Sequence, residues 1–127
     1  DELKNLERKF MNVILAAKYN DPARSVRLGK QYIQNHYSEQ ISLEEVSEKV
    51  GLSAPYFSTL FKRETELGFA KYLMSVRTDA AKVLLRETTL PVAEICRKVG
   101  YYDLKHFTHT FEKIAGVKPA VFRKMYG

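Results

Sequence analysis

The chain spells one phrase twice. "VGLSAPYFSTLFKRET" spans residues 50–65 and "VGYYDLKHFTHTFEKI" spans residues 99–114. Each copy runs Val-Gly, then a Phe, then a second Phe four residues later. Phe57 and Phe61 precede their counterparts Phe107 and Phe111 by 50 positions. Two residues at i and i+4 share one helix face, and a Gly just before them is the usual way for a preceding helix to stop. Each copy therefore reads as a short helix, a tight turn and a second helix. That is the helix-turn-helix layout, whose second helix lies in the DNA major groove. Internal repetition constrains the fold more than any composition value, because both copies must solve the same packing problem.

Nearly every other periodic stretch reads as helix, and the expected fold class is all-α. Leu3, Leu6, Phe10, Val13 and Ala17 recur at three- and four-residue steps, an amphipathic helix with heptad character. It is expected to stop at Asn20-Asp21, making residues 1–21 a connector, a dimerisation seam or an extra packed helix. Residues 22–127 form the main domain. Pro22 opens a helix that turns Val26, Ile33 and Tyr37 inward and ends near Ser38. Ser42 with Glu45 three residues on has the capping-box spacing, and Gly51 ends that helix. Ser53 caps the next, with Pro55 in its first turn, so the first helix-turn-helix covers about residues 42–65. A linker helix over about 69–86 offers Tyr72, Leu73, Val76, Ala80, Val83 and Leu84 for packing. The second unit covers about 91–114: Pro91 opens it, Ile95 and Val99 face inward, Gly100 makes the turn and Asp103 caps. Phe107, Phe111 and Ile114 are its expected buried face. A last helix over about 119–126 parallels the start of the linker.

Length suits one domain, or two small ones on a common spine. No apolar run approaches the roughly 20 residues of a membrane span. The chain begins at Asp1 rather than Met, as a piece of a longer protein would. A lone cysteine, Cys96, suits a reducing cytoplasm, and its helix phase makes it a small core residue. Net charge is +6, which invites a polyanion. From residue 97 onward seven basic residues face only Asp103 and Glu112, a net +5 on the last quarter.

Lengths agree with the repeat. A linker of roughly 18 residues spans on the order of 27 Å, and the flanking offsets bring two reading helices near the roughly 34 Å of one DNA turn. The segments "ISLEEVSEKVGLSAPYFSTLFKRET", "FAKYLMSVRTDAAKVLL" and "VAEICRKVGYYDLKHFTHTFEKIAGVKPAVFR" together make residues 27–126 resemble the AraC/XylS family of bacterial transcription regulators. That resemblance implies two helix-turn-helix subdomains joined by a long linker helix, with double-stranded DNA as partner and no cofactor. It further implies transcription activation through RNA polymerase, and a sensory or receiver domain upstream. The family's base-contacting positions fall on Pro55, Ser58 and Thr59, with Ala54 beside them. In the second copy they fall on Lys105, Thr108 and His109, flanked by Leu104 and His106. The family commonly has Arg or Lys where this chain has Thr59, His109 and Glu112. It commonly has Gly where this chain has Glu66, which predicts strain after Thr65.

Residue chemistry grades these positions. Lys105 pairs well with guanine O6/N7, though a lysine there also suits a phosphate or plain solvent. Ser58 and Thr59 can bond several base edges, whereas Ala54 and Pro55 offer apolar contact or helix-start stability. Lys62, Arg63, Lys113 and Lys118 read as phosphate clamps. Asp103, His106, His109 and Glu112 step by three and invite a metal reading. A cap, two groove-facing imidazoles and a surface acid account for them better. No catalytic triad, phosphate loop or paired buried carboxylates can be recognised. The competing function is a protein-interaction module that uses the Leu3–Ala17 seam and a basic surface to bind an acidic partner; Leu3, Leu6, Phe10, Val13 and Ala17 are also the candidate homodimer seam.

Overall fold

The computed structural model describes residues 21–127. Among them seven helices follow in order: α1 (Pro22–His36), α2 (Leu43–Val50), α3 (Ala54–Thr65), α4 (Phe69–Glu87), α5 (Val92–Lys98), α6 (Leu104–Ala115) and α7 (Pro119–Tyr126). The described residues contain no strand. The expected helix carrying Leu3, Leu6, Phe10, Val13 and Ala17 lies outside the described residues.

Side-chain caps set the helix starts. Asp21 accepts from the Ala23 N–H ahead of α1, Ser42 from Glu45 N–H at 3.1 Å, Ser53 from Tyr56 N–H and Asp103 from Lys105 N–H at 3.0 Å. Each such cap stabilises its helix by about 1 kcal/mol. The capping box expected at Ser42 and Glu45 closes on one side only. The Glu45 carboxylate instead accepts the Tyr32 hydroxyl, which ties α2 to α1. Pro91 sits at the cap position of α5 rather than inside the helix, and α1 stops at His36, two residues short of Ser38.

The two Gly turns close in the same way. Gly51 N–H donates to the Glu48 carbonyl and Leu52 N–H to Ser47. Gly100 N–H donates to Arg97 and Tyr101 N–H to Cys96. Both glycines sit at positive φ, 79° and 111°, so the paired C-terminal motif forms without a side-chain clash.

Two cores result. The first gathers Val26, Ile33, Ile41, Val46, Phe57, Leu60 and Phe61. The second gathers Ile95, Cys96, Val99, Tyr101, Phe107, Phe111 and Phe122. The ring geometry is itself duplicated: Phe61 meets Tyr72 edge-on at 5.2 Å, and 50 residues later Phe111 meets Phe122 edge-on at 5.7 Å. Helix α4 belongs to both cores, giving Leu73 and Val76 to the first and Ala81 and Leu85 to the second. At 3.6 residues per turn those two pairs point about 130° apart around the axis. A single apolar stripe continued along the whole helix predicts Val83 inside. Val83 is 43% exposed and Leu85 is buried, because the second core sits on a different flank. Ile114 is likewise 41% exposed. It lies on the Phe side of α6, but Ala115 takes the last place against the core and Ile114 borders an open cleft beside α4. Helix α7 closes the end of the molecule. Arg123 donates to the Leu85 and Thr88 carbonyls at 3.1 and 3.2 Å, satisfying the open end of α4.

Candidate nucleic-acid interface

With Phe57, Leu60 and Phe61 inside, α3 leaves Pro55, Thr59, Lys62 and Arg63 exposed, with Ala54 and Ser58 half-buried. With Phe107, Thr110 and Phe111 inside, α6 exposes Leu104, Lys105, His106, His109 and Lys113, and half-buries Thr108. Lys118 is exposed at the cap of α7. The two faces correspond position by position. Pro55 and Lys105 are both exposed, Ser58 and Thr108 are both half-buried, and Thr59 and His109 are both exposed. The candidate contacts therefore lie on two outward helix faces, one per core.

Local bonding limits what some of these side chains can do. Thr59 Oγ1 donates to the Pro55 carbonyl at 3.1 Å, so its hydrogen is spent within the helix. Its methyl group and oxygen lone pairs are what face outward. Lys62 and Arg63 lie in the last turn of α3, and Lys113 in the last turn of α6, where cations also suit the helix dipole. Arg63 stands 4.0 Å from Glu64 with both side chains exposed. Such a pair is worth little, so Arg63 can leave it for a phosphate.

The imidazoles are placed less simply than expected. His106 meets the Tyr101 ring edge-on at 5.3 Å. His106 and His109 together line a cleft of about 500 Å³ between α4 and α6, opposite Lys71, Met74 and Ser75. They are exposed, yet they stand on the α4 side of the reading face rather than squarely on it. Asp103 spends its carboxylate on the Lys105 N–H. Among the described residues no group of three or more His, Cys, Asp or Glu is placed to hold a metal ion.

Two aromatic residues also stand on these faces, although helix periodicity does not single them out. Tyr56 is 48% exposed on the first turn of α3, and Tyr102 is 85% exposed just before Asp103. The signal for Tyr102 was present. Val-Gly recurs after 49 residues and Phe after 50, so the second turn is one residue longer. Leu52 and Tyr101 play the same part in the two turns, donating to Ser47 and Cys96. Tyr102 is the surplus residue and is pushed outward.

The described residues hold no helix long and apolar enough to cross a membrane. A family model described as a helix-turn-helix domain matches residues 46–125. The arabinose operon regulatory protein of Salmonella typhimurium is 30% identical over 95% of this chain and 43% of its own length. The C-terminal domain of AraT, a response regulator from Geobacillus stearothermophilus, superposes with a TM-score of 0.76 at 37% identity, covering 80% of this chain and 84% of that one. The DNA-binding domain of the transcription factor AdpA, solved with a target DNA, shares the fold with a TM-score of 0.75 at 22% identity, covering 80% and 91%. The chain spans about a third or less of the length of the first known relatives it matches. With its two matched helix-turn-helix units on one linker helix, the chain belongs to the AraC/XylS family, as the DNA-binding domain of a transcription regulator.

Proposed function

We propose that this domain reads a specific double-stranded DNA operator by placing α3 and α6 in successive major grooves. The correspondence of the two outward faces carries the reading. Residues of equal exposure recur at the same register on α3 and α6, over the same Phe scaffold. Lys105 contacts a base edge, with Thr108 and His109 beside it. On α3, Ser58 and Thr59 read bases while Ala54 and Pro55 give apolar contact, and Leu104 and the His106 imidazole flank the contacts on α6. Lys62, Arg63, Lys113 and Lys118 hold phosphates and set the salt dependence. In the whole protein we place a sensory or receiver domain upstream, action in the cytoplasm as an activator meeting RNA polymerase, and a homodimer seam at Leu3, Leu6, Phe10, Val13 and Ala17.

Selection of bound sequences from a random duplex pool tests the reading. Two half-sites about 10 base pairs apart should be enriched. Lys105→Ala and Thr59→Ala should each relax preference in a different half-site, costing about 1–3 kcal/mol of discrimination. A pool that enriches nothing, or preferences that survive both substitutions, would overturn it.

A further inference from the structure

Two reading units joined by a single helix would swing about that helix unless something held them. Arg77, midway along α4, is only 8% exposed. Its Nε–H donates to the Tyr37 carbonyl at 2.7 Å and its Nη2 to the Glu39 carbonyl at 2.9 Å. Both acceptors lie just after α1, in the first unit. The other side of the guanidinium lies 5.2 Å from the centre of the Tyr101 ring, in the turn of the second unit. One side chain thus touches the first unit, the shared helix and the second unit.

Neighbouring contacts reinforce the same junction. Gln40 Nε2 donates to the Gly100 carbonyl at 2.8 Å, and Tyr37 packs against both cores. A Cβ on Gly100 would stand 2.8 Å from Arg77 Nε and 2.8 Å from the Tyr37 carbonyl oxygen. The second turn is therefore pressed onto backbone of the first unit with no space for a side chain.

We propose that Arg77, assisted by Gln40, sets the rotational phase between α3 and α6 and so fixes the half-site spacing that the protein accepts. The proposal rests on the two-groove reading above. Binding of the second helix is an intramolecular event whose effective concentration is greatest when the link matches the span and collapses when it does not. A stiff junction makes that dependence sharp. Loosening the junction flattens it without altering either reading face. Arg77 and Gln40 are positioning residues here, since neither lies on those faces.

Wild type, Arg77→Met and Gln40→Ala are compared by titration on three kinds of duplex. These are the selected operator, the operator with one base pair inserted between half-sites, and a duplex carrying one half-site. One added base pair turns a half-site by about 35°. Arg77→Met leaves two carbonyls without their donor, so Gln40→Ala, an exposed side chain, provides a test independent of folding. The insertion penalty should fall about tenfold in Arg77→Met and in the same direction in Gln40→Ala, with single half-site affinity unchanged. A role in stability alone would weaken operator and half-site together and leave the penalty intact, which overturns the proposal. Penalties equal to wild type in both variants also overturn it, while the two-groove reading stands. A wild type indifferent to spacing removes both.

Discussion

Glu66 and Gly116 occupy the same place 50 residues apart, each ending a reading helix in the left-handed conformation. Their φ values are 65° and 88°, and each N–H donates to the carbonyl four residues back, Lys62 at 2.7 Å and Glu112 at 2.9 Å. Glu66 is the one non-glycine residue at positive φ among the described residues. A side chain there costs about 1–2 kcal/mol, partly offset by the smaller entropy loss of a non-glycine residue on folding. Glu66→Gly should therefore raise stability by about 1 kcal/mol, and Gly116→Ala, which meets no atom within 4 Å, should lower it by a similar amount. Urea denaturation of both variants checks the pair, and a destabilised Glu66→Gly would contradict the strain.

Gly29 sits within α1, where alanine ordinarily gains about 1 kcal/mol of helix propensity. Its added Cβ would lie 2.6 Å from Phe57 Cζ, and Phe57 is fully buried with its ring packed against Phe61. Overpacking of that kind costs about 1–3 kcal/mol, so the clash wins. Gly29→Ala should melt several degrees below wild type; a higher melting temperature would show that the ring yields.

The Tyr32 hydroxyl donates to the Glu45 carboxylate, and that bond pushes the phenol up to about 12 from its usual 10.0. A raised folded-state value means the neutral phenol is what folding favours. The stabilisation is full below pH 10 and is lost as pH rises from 10 towards 12. Glu45→Gln should return Tyr32 towards 10, as read by NMR titration of the ring. A Tyr32 that titrates alike in both proteins would exclude the bond as the cause.

Removing one phosphate contact lowers the slope of log K against log salt by about 0.9. Lys62→Ala and Lys113→Ala should each do so and weaken all duplexes alike. Lys105→Ala should instead change which duplex is preferred. Filter binding across a salt series separates the two patterns.

What could be read from the sequence followed local rules. The Phe pairs, the caps at Ser42, Ser53 and Asp103, and both Gly turns depend on neighbours within five residues, and all are present. Glu66 was legible as a strained position through the family's glycine at that place. Leu85 was missed because periodicity describes one face, and α4 changes the face it buries partway along. Ile114 keeps the Phe spacing yet is exposed, because Ala115 packs on the core in its stead and periodicity does not show the cleft that Ile114 borders. The Arg77 contacts to Tyr37 and Glu39 span 40 and 38 residues, and no spacing rule connects them. Tyr102 needed the 49- and 50-residue offsets to be compared. The face of α6 could be named from the sequence; that its histidines border a cleft against α4 depends on how two helices approach, which only coordinates supply.

Helix α4 lends one flank to each core, and that arrangement governs how the molecule comes apart. Thr78, buried between the two contributions, marks the point where a proline would break the rod. Neither half keeps a complete interior once that rod fails. Heat or denaturant should thus find one melting event instead of two, and a protease that nicks this helix would silence both ends of the domain at a stroke.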